Sequence, residues 1–150
     1  MRPPESHRHD DALPPGARAT PVPTSATQAP RLHIGILTYN GLAHTMRFLD
    51  SLAAHTQAPW RALVLDNASC DDTPAFLRAL TDPRITAHRG ERNLGVSGGR
   101  NWLLAQLLPT LRDDDLIVLL DNDIEVSAGW EAPFLEAFTT RPELGVAGRW

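Results

Sequence analysis

From position 31 onward, short apolar β-rich runs alternate with stretches of helical period, and this alternation limits the fold more than any other feature. "LHIGILTY" (32–39) reads as a strand that ends in the turn Asn40-Gly41. "LAHTMRFLDSLAAH" (42–55) follows as a helix, with Leu42, Met46, Leu49 and Ala53 at helical spacing. "RALVLDN" (61–67) is a second strand, "DTPAFLRAL" (72–80) a helix with Pro in its first turn, and "RITAHR" (84–89) a short third strand. A Gly-rich loop then enters the helix "GVSGGRNWLLAQLL" (95–108), which Pro109 should end. "DLIVLLDND" (115–123) is apolar without alternation and should be buried on both faces. A helix over 128–140, offset by Pro133, and a strand over 144–150 complete the pattern. Strands alternating with helices form βαβ units. The expected fold class is therefore α/β: a mostly parallel, Rossmann-like sheet with helices on both faces.

Residues 1–30 stand apart. "LPPGARATPVPTSATQAP" has no apolar period and too little to bury to offset its ordering entropy, so it reads as a disordered leader before one domain over 31–150. The net charge of −4 argues against a general nucleic-acid or anionic-membrane binder. All 14 basic residues are Arg, which excludes any mechanism that needs a Lys. A single cysteine, Cys70, excludes an internal disulfide and suits a reducing compartment; the expected location is the cytoplasm. No apolar run approaches the ~20 residues of a membrane span, although peripheral membrane contact stays open.

Three of the expected strands end in polar clusters: Thr38-Tyr39-Asn40, Asp66-Asn67 and Asp121-Asn122-Asp123. In a parallel sheet these clusters share the edge where ligands of such sheets bind. Two carboxylates separated by one residue, on a backbone leaving the sheet, can turn together toward a hard divalent cation whose shell is completed by phosphate oxygens and water. A second acid pair, Asp113 and Asp115, precedes its strand and is expected at the opposite edge as a solvated turn. Asp66 suits a base N–H or ribose hydroxyls. Asn67 and Ser69 can close an Asx-type loop, and Asp71 or Asp72 can cap the next helix. "ERNLGVSGGRN" (91–101) permits close backbone approach and opens a helix whose free N–H groups favour an anion. Its spacing, Gly95, Gly98 and Gly99, matches neither the dinucleotide fingerprint nor a Walker loop. Cys70 reads as a bystander, and His44, His55, Glu125, Glu131, Glu136 and Glu143 as surface positions.

Taken in order, "ILTYNG", "VLDNASCDDT", "NLGVSGGRN" and "LLDND" resemble the family 2 inverting glycosyltransferases of GT-A fold, the rhamnosyltransferase-like members in particular, over residues 32–150. The resemblance implies a nucleotide-diphosphate-sugar donor, first of all a UDP- or dTDP-sugar, with Mn²⁺ or Mg²⁺ as cofactor and a glycan or lipid-linked acceptor. It implies donor contacts from Thr38, Tyr39, Asn40, Asp66 and Asn67 around the base, and from Asn93, Gly95 and Arg100 in the loop nearby. Asp121 and Asn122 would support the nucleotide, and Asp123 with Asp121 would hold the metal. The general base that inversion requires lies well after the D-x-D in this family, and no residue after Asp123 matches it, so the catalytic residue is unassigned. The chain reads as a truncated donor-binding half whose uncovered apolar face should cause self-association. The alternative is a catalytically inactive module that binds a nucleotide or a partner chain.

Overall fold

The structure, a computed structural model, describes residues 29–141 and 143–148. Residues 1–28 of the leader expected over 1–30, and the last residues of the final expected strand, lie outside them. The elements are β1 (Leu32–Thr38), α1 (Leu42–His55), β2 (Trp60–Asp66), α2 (Thr73–Ala79), β3 (Ile85–Arg89), α3 (Gly95–Leu107), a 3₁₀ turn (Leu108–Thr110), β4 (Leu116–Asp121) and α4 (Ala132–Thr140).

The strands form one parallel sheet in the order β3-β2-β1-β4. The chain therefore moves outward from β1 to β3, then crosses back over both strands to place β4 on the far side of β1. Right-handed crossovers taken in opposite directions put their helices on opposite faces. Accordingly α1 and α2 cover one face, where Phe48, Leu49, Leu52 and Leu77 pack on Leu32, Ile34, Ile36, Ala62 and Val64. α3 covers the other face so closely that a Cβ on Gly35 would lie 3.3 Å from Leu107 and 3.5 Å from Leu103. The expected α/β class with helices on both faces is what forms.

Four local expectations are corrected. In α1 the buried stripe is Thr45, Phe48, Leu49 and Leu52, so the helix is turned from the expected face and Met46 is 42% exposed. Phe48 and Leu52 bury more apolar area than Met46 and Ala53 would, and that sets the rotation. β4 is half-buried rather than enclosed, because β1 pairs with it on one side and nothing among the described residues pairs on the other. No strand forms over 144–148, where Gly145 and Gly148 have open space around them and offer little to pack.

The fourth correction concerns acids. Asp115 does lie at the opposite edge of the sheet, but it is buried rather than solvated. Its carboxylate accepts the Arg31 N–H at 3.0 Å, the Arg112 guanidinium at 2.7 Å and His33 Nε2–H at 3.1 Å. Glu131 is likewise no surface residue: at 3% exposure, its Oε1 accepts the backbone N–H groups of Gln57 and Ala58, binding the start of α4 to the loop between α1 and β2.

Candidate functional site: a cleft at the switch point of the sheet

β1 lies between strands reached in opposite directions, so the helices leaving β1 and entering β4 diverge and leave a crevice at their carboxyl ends. Ligands of open α/β sheets bind at such a point. Here the crevice is a cleft of about 400 Å³. Its walls include Tyr39 from β1's exit, Asn67 after β2, Asn93, Gly95 and Arg100 from the loop and first turns of α3, and Asp121, Asn122 and Asp123 from β4's tip. These residues span 85 positions of sequence from Tyr39 to Asp123 (123 − 39 + 1), and the topology alone brings them together.

Three interlocks hold the walls. The first joins β2 to the α3 loop: the Asn67 side chain donates to Asn93 Oδ1 at 2.8 Å and accepts the Leu94 N–H at 2.8 Å. Asn93 Oδ1 also takes the Gly95 N–H at 2.7 Å, and Gly95 turns the chain into α3 at φ +69°. Leu94 at the N-cap offers no side-chain cap, so beyond Gly95 the first-turn amides of α3 have no side-chain acceptor, and Gly95 and Val96 line the cleft. The second joins β1 to the loop after β2. Asn40, in the left-handed region at φ 49°, accepts the Cys70 N–H on Oδ1 at 2.6 Å while its own N–H donates to Ser69 Oγ at 2.9 Å. Asp71 continues this bridge by accepting the Leu42 N–H at the start of α1.

The third interlock fixes Asp121-Asn122-Asp123. Arg100 donates to Asp121 Oδ1 at 2.7 Å from the α3 side. From the α1 side, Asn122 Nδ2 donates to Thr38 Oγ1 at 3.1 Å and Thr45 Oγ1 at 3.0 Å. Asp123 forms no side-chain hydrogen bond or ion pair among the described residues and stands exposed at the cleft. Two of the expected donor contacts also carry the tip: Thr38 is 1% exposed and accepts the Asn122 amide from beneath, and Asn122 directs its amide inward while lining the cleft. Thr45 was missed. A polar residue in a stripe otherwise made of Phe48, Leu49 and Leu52 was the available signal.

Asp66 does not line this cleft. It is 1% exposed at the end of β2, on the α1/α2 face, and borders an adjoining cavity of about 370 Å³ with Arg89, Arg78 and Pro74. Its Oδ1 accepts the Ser69 N–H at 2.9 Å. Its Oδ2 has no hydrogen-bond partner, with Arg89 Nη1 3.6 Å away. A buried carboxylate oxygen without a hydrogen bond is costly, so this atom, ion-paired with Arg89, is a latent acceptor.

No group of three or more His, Cys, Asp or Glu side chains able to hold a metal occurs among the described residues. Among the described residues, a cation at the tip would therefore have only Asp121 and Asp123, with one Asp121 oxygen already held by Arg100. That donor set fits Mg²⁺ or Mn²⁺ bound jointly with ligand phosphates, and does not fit a cage built by protein alone.

The model described as "Glycosyl transferase family 2" matches residues 33–150. The chain is 30% identical over 124 residues to the N-acetylglucosaminyl-diphospho-decaprenol L-rhamnosyltransferase of Mycobacterium tuberculosis, covering 78% of this chain and 40% of that protein. It is also 30% identical over 79 residues to the succinoglycan biosynthesis protein ExoO of Rhizobium meliloti, covering 53% of this chain and 23% of that one. The chain thus spans well under half the length of these relatives. Among solved structures, S. aureus TarS in complex with UDP-GlcNAc superposes with a TM-score of 0.63 at 19% identity, over 80% of this chain and 36% of that one. The Pyrobaculum calidifontis mannosyltransferase PcManGT, in complex with GDP-Man and Mn²⁺, gives 0.60 at 24%, over 80% and 34%. The shared fold is of GT-A type.

Proposed function

Since the chain belongs to glycosyltransferase family 2, we propose that the switch-point cleft binds a nucleotide-diphosphate sugar for metal-assisted transfer with inversion. One observation carries this reading. Arg100 occupies Asp121, the Thr38–Thr45 pair occupies Asn122, and Asp123, unpartnered among the described residues, lines the same cleft as Gly95 and Val96 at the start of α3. A helix N-terminus attracts a diphosphate, and a free carboxylate in the same cleft attracts the counter-cation. A bound Mn²⁺ or Mg²⁺ would supply charge neutralisation for the departing diphosphate. Asp123 would hold it, with the remaining oxygen of Asp121. Arg100 keeps Asp121 oriented, and the Asn67–Asn93 interlock keeps the α3 N-terminus facing the ligand.

The base end of the donor extends toward the exit of β1 and β2. Tyr39, 48% exposed on the wall, offers a ring face for it. Asp66 Oδ2, which takes no hydrogen bond, is the acceptor for a base N–H, and a UDP- or dTDP-sugar is the donor that the family resemblance implies. The named substrate of the mycobacterial relative supports a lipid-linked or glycan acceptor, and a donor of this kind together with a free, exposed Cys70 supports a cytoplasmic site. No helix among the described residues is long and apolar enough to cross a membrane.

A second reading rests on the acids after Asp123. Glu125 pairs with Arg47 at 3.4 Å, Glu131 is buried against α1, and neither these nor Glu136 or Glu143 lines the cleft. No described acid beyond the D-N-D tip is placed to take the acceptor's proton. The chain on its own is then a donor-binding module. Calorimetric titration with UDP, dTDP and GDP, with and without Mn²⁺, tests both. Mn²⁺-dependent binding that Asp123→Ala abolishes supports the donor site; binding unaltered by Mn²⁺ and by the substitution refutes it. Hydrolysis or transfer by the same protein would refute the second reading.

A further inference from the structure

We infer that Thr45, on α1 and outside the cleft, is a positioning residue that sets the orientation of the D-N-D tip. The inference rests on the donor-site reading and deepens it. Thr45 is fully buried, one turn into a helix whose neighbouring inward residues are apolar. Its hydroxyl has a forced arrangement. Oγ1 donates to the Gly41 carbonyl at 3.0 Å, so its own proton is spent. The 2.8 Å contact with Thr38 Oγ1 must then carry the Thr38 proton into Thr45, and Asn122 Nδ2 donates to both oxygens.

A hydroxyl has one proton and two lone pairs, and all three of Thr45 are now used. The network admits only one orientation of Asn122: its NH₂ group inward, its carbonyl oxygen toward the cleft. Gly41 is part of the same fit, since a Cβ there would lie 2.8 Å from Asn122 Nδ2. Asn122 has an anchored acid before it, Asp121 on Arg100, and an unanchored one after it, Asp123. Locking the middle side chain to the start of α1 therefore fixes the backbone from which Asp123 projects. Partners that orient a metal's ligands are worth about 10- to 100-fold in metal affinity.

The test compares Thr45→Val, which keeps shape and removes the hydroxyl, with Thr45→Ser, which restores it, and with Asp123→Ala. Each protein is titrated with UDP and dTDP with and without Mn²⁺, and hydrogen exchange is measured at the amides of residues 121–124. In Thr45→Val the Mn²⁺-dependent part of the affinity should fall about 10-fold or more. Metal-free nucleotide affinity should stay within about twofold, since Tyr39, the Asn67–Asn93 interlock and Arg100 keep their places. Amides 121–124 should exchange faster, and Thr45→Ser should restore both readings. Wild-type behaviour of Thr45→Val overturns the inference. So does an equal loss of metal-dependent and metal-free binding, or a Thr45→Ser variant indistinguishable from Thr45→Val. A wild-type protein that binds no nucleotide, or an Asp123→Ala variant that keeps Mn²⁺ dependence, refutes the donor site instead. Hydrogen exchange then decides Thr45 alone, and unchanged exchange at 121–124 in Thr45→Val removes it.

Discussion

His33 sits fully buried in the central strand, between Asp115 Oδ2 on its Nε2 and the Arg61 guanidinium on its Nδ1 at 3.3 Å. Arg61 can only donate, so Nδ1 must accept and the proton must reside on Nε2. The imidazole is neutral. Burial first, and the nearby Arg61 charge second, hold its pKa below the ordinary 6.5. Below that value an unfolded chain binds a proton that the folded one refuses, so stability should be level above pH 7 and decline as pH falls below about 6.5. Asp115 shows the opposite charge preference, held well below 3.8 chiefly by Arg112, so its contribution is lost only in stronger acid, below about pH 4. Melting temperature against pH should therefore fall in two limbs, and His33→Gln should remove the upper one alone; an unchanged upper limb in that variant contradicts the assignment. Glu131 gives a second test. Glu131→Ala strands two backbone N–H groups and should cost about 1–3 kcal/mol in denaturant unfolding. Glu131→Gln keeps the accepting oxygen and discharges the unpartnered buried Oε2, so it should stay within about 1 kcal/mol of the native chain.

Between elements, the contact that shapes the cleft is α3 against β1. α3 buries Gly99, Leu103 and Leu107, and at Gly99 an added Cβ would come within 2.5 Å of Leu37 Cδ1. The Leu37 side chain fills the space that a Cβ at 99 would take, so an alanine there requires Leu37 or α3 to move. Gly99→Ala gains about 1 kcal/mol of helix propensity but forces α3 outward, and overpacking of about 1–3 kcal/mol should outweigh the gain. The displaced helix carries Arg100 and the cleft's amides, so nucleotide affinity should weaken with stability. Adding Leu37→Ala should recover part of the nucleotide affinity. If Gly99→Ala is as stable as the parent, the close approach is not a constraint. The existence of α3 and its Gly-rich entry was legible in "NLGVSGGRN"; its distance from β1 was not, because no pattern within one element records its separation from another.

For the molecule as a whole, the open side of β4 matters most. A groove of about 780 Å³ runs along that edge, lined by Ile117, Val118 and Leu119 from the strand, Leu104 from α3 and Leu108 from the 3₁₀ turn after it, and Trp130, Phe134 and Phe138 from the α4 side. Leu116–Leu120 carries no charge or Pro, the usual protection of an exposed strand edge. Light scattering behind size-exclusion chromatography should show self-association that increases with concentration, and Ile117→Lys should reduce it. A monodisperse monomer at about 100 μM, far above the ~1 μM at which edge pairing worth about 8 kcal/mol would hold, would refute the expectation. Nucleotide binding should survive Ile117→Lys, since Ile117 lies at the other end of β4 from Asp121.

Up to α4, the order of strands and helices, the parallel sheet and the meeting of three polar clusters at one edge were determined by the sequence alone, because apolar period and handed crossovers are properties of short consecutive segments. Family membership was equally legible, carried by four motifs in order. What each polar side chain does was decided by the tertiary structure. Asp115 and Asp121 both look like acids beside an apolar strand, yet one is buried in a network at the base and the other is exposed at the cleft. Thr45 and Asn122 are 77 residues apart and meet only because the chain reverses direction at β1. A hydrogen bond depends on angstrom-scale distances between atoms that the sequence does not place next to one another, so pattern predicts which elements meet and only the folded chain decides which atoms do.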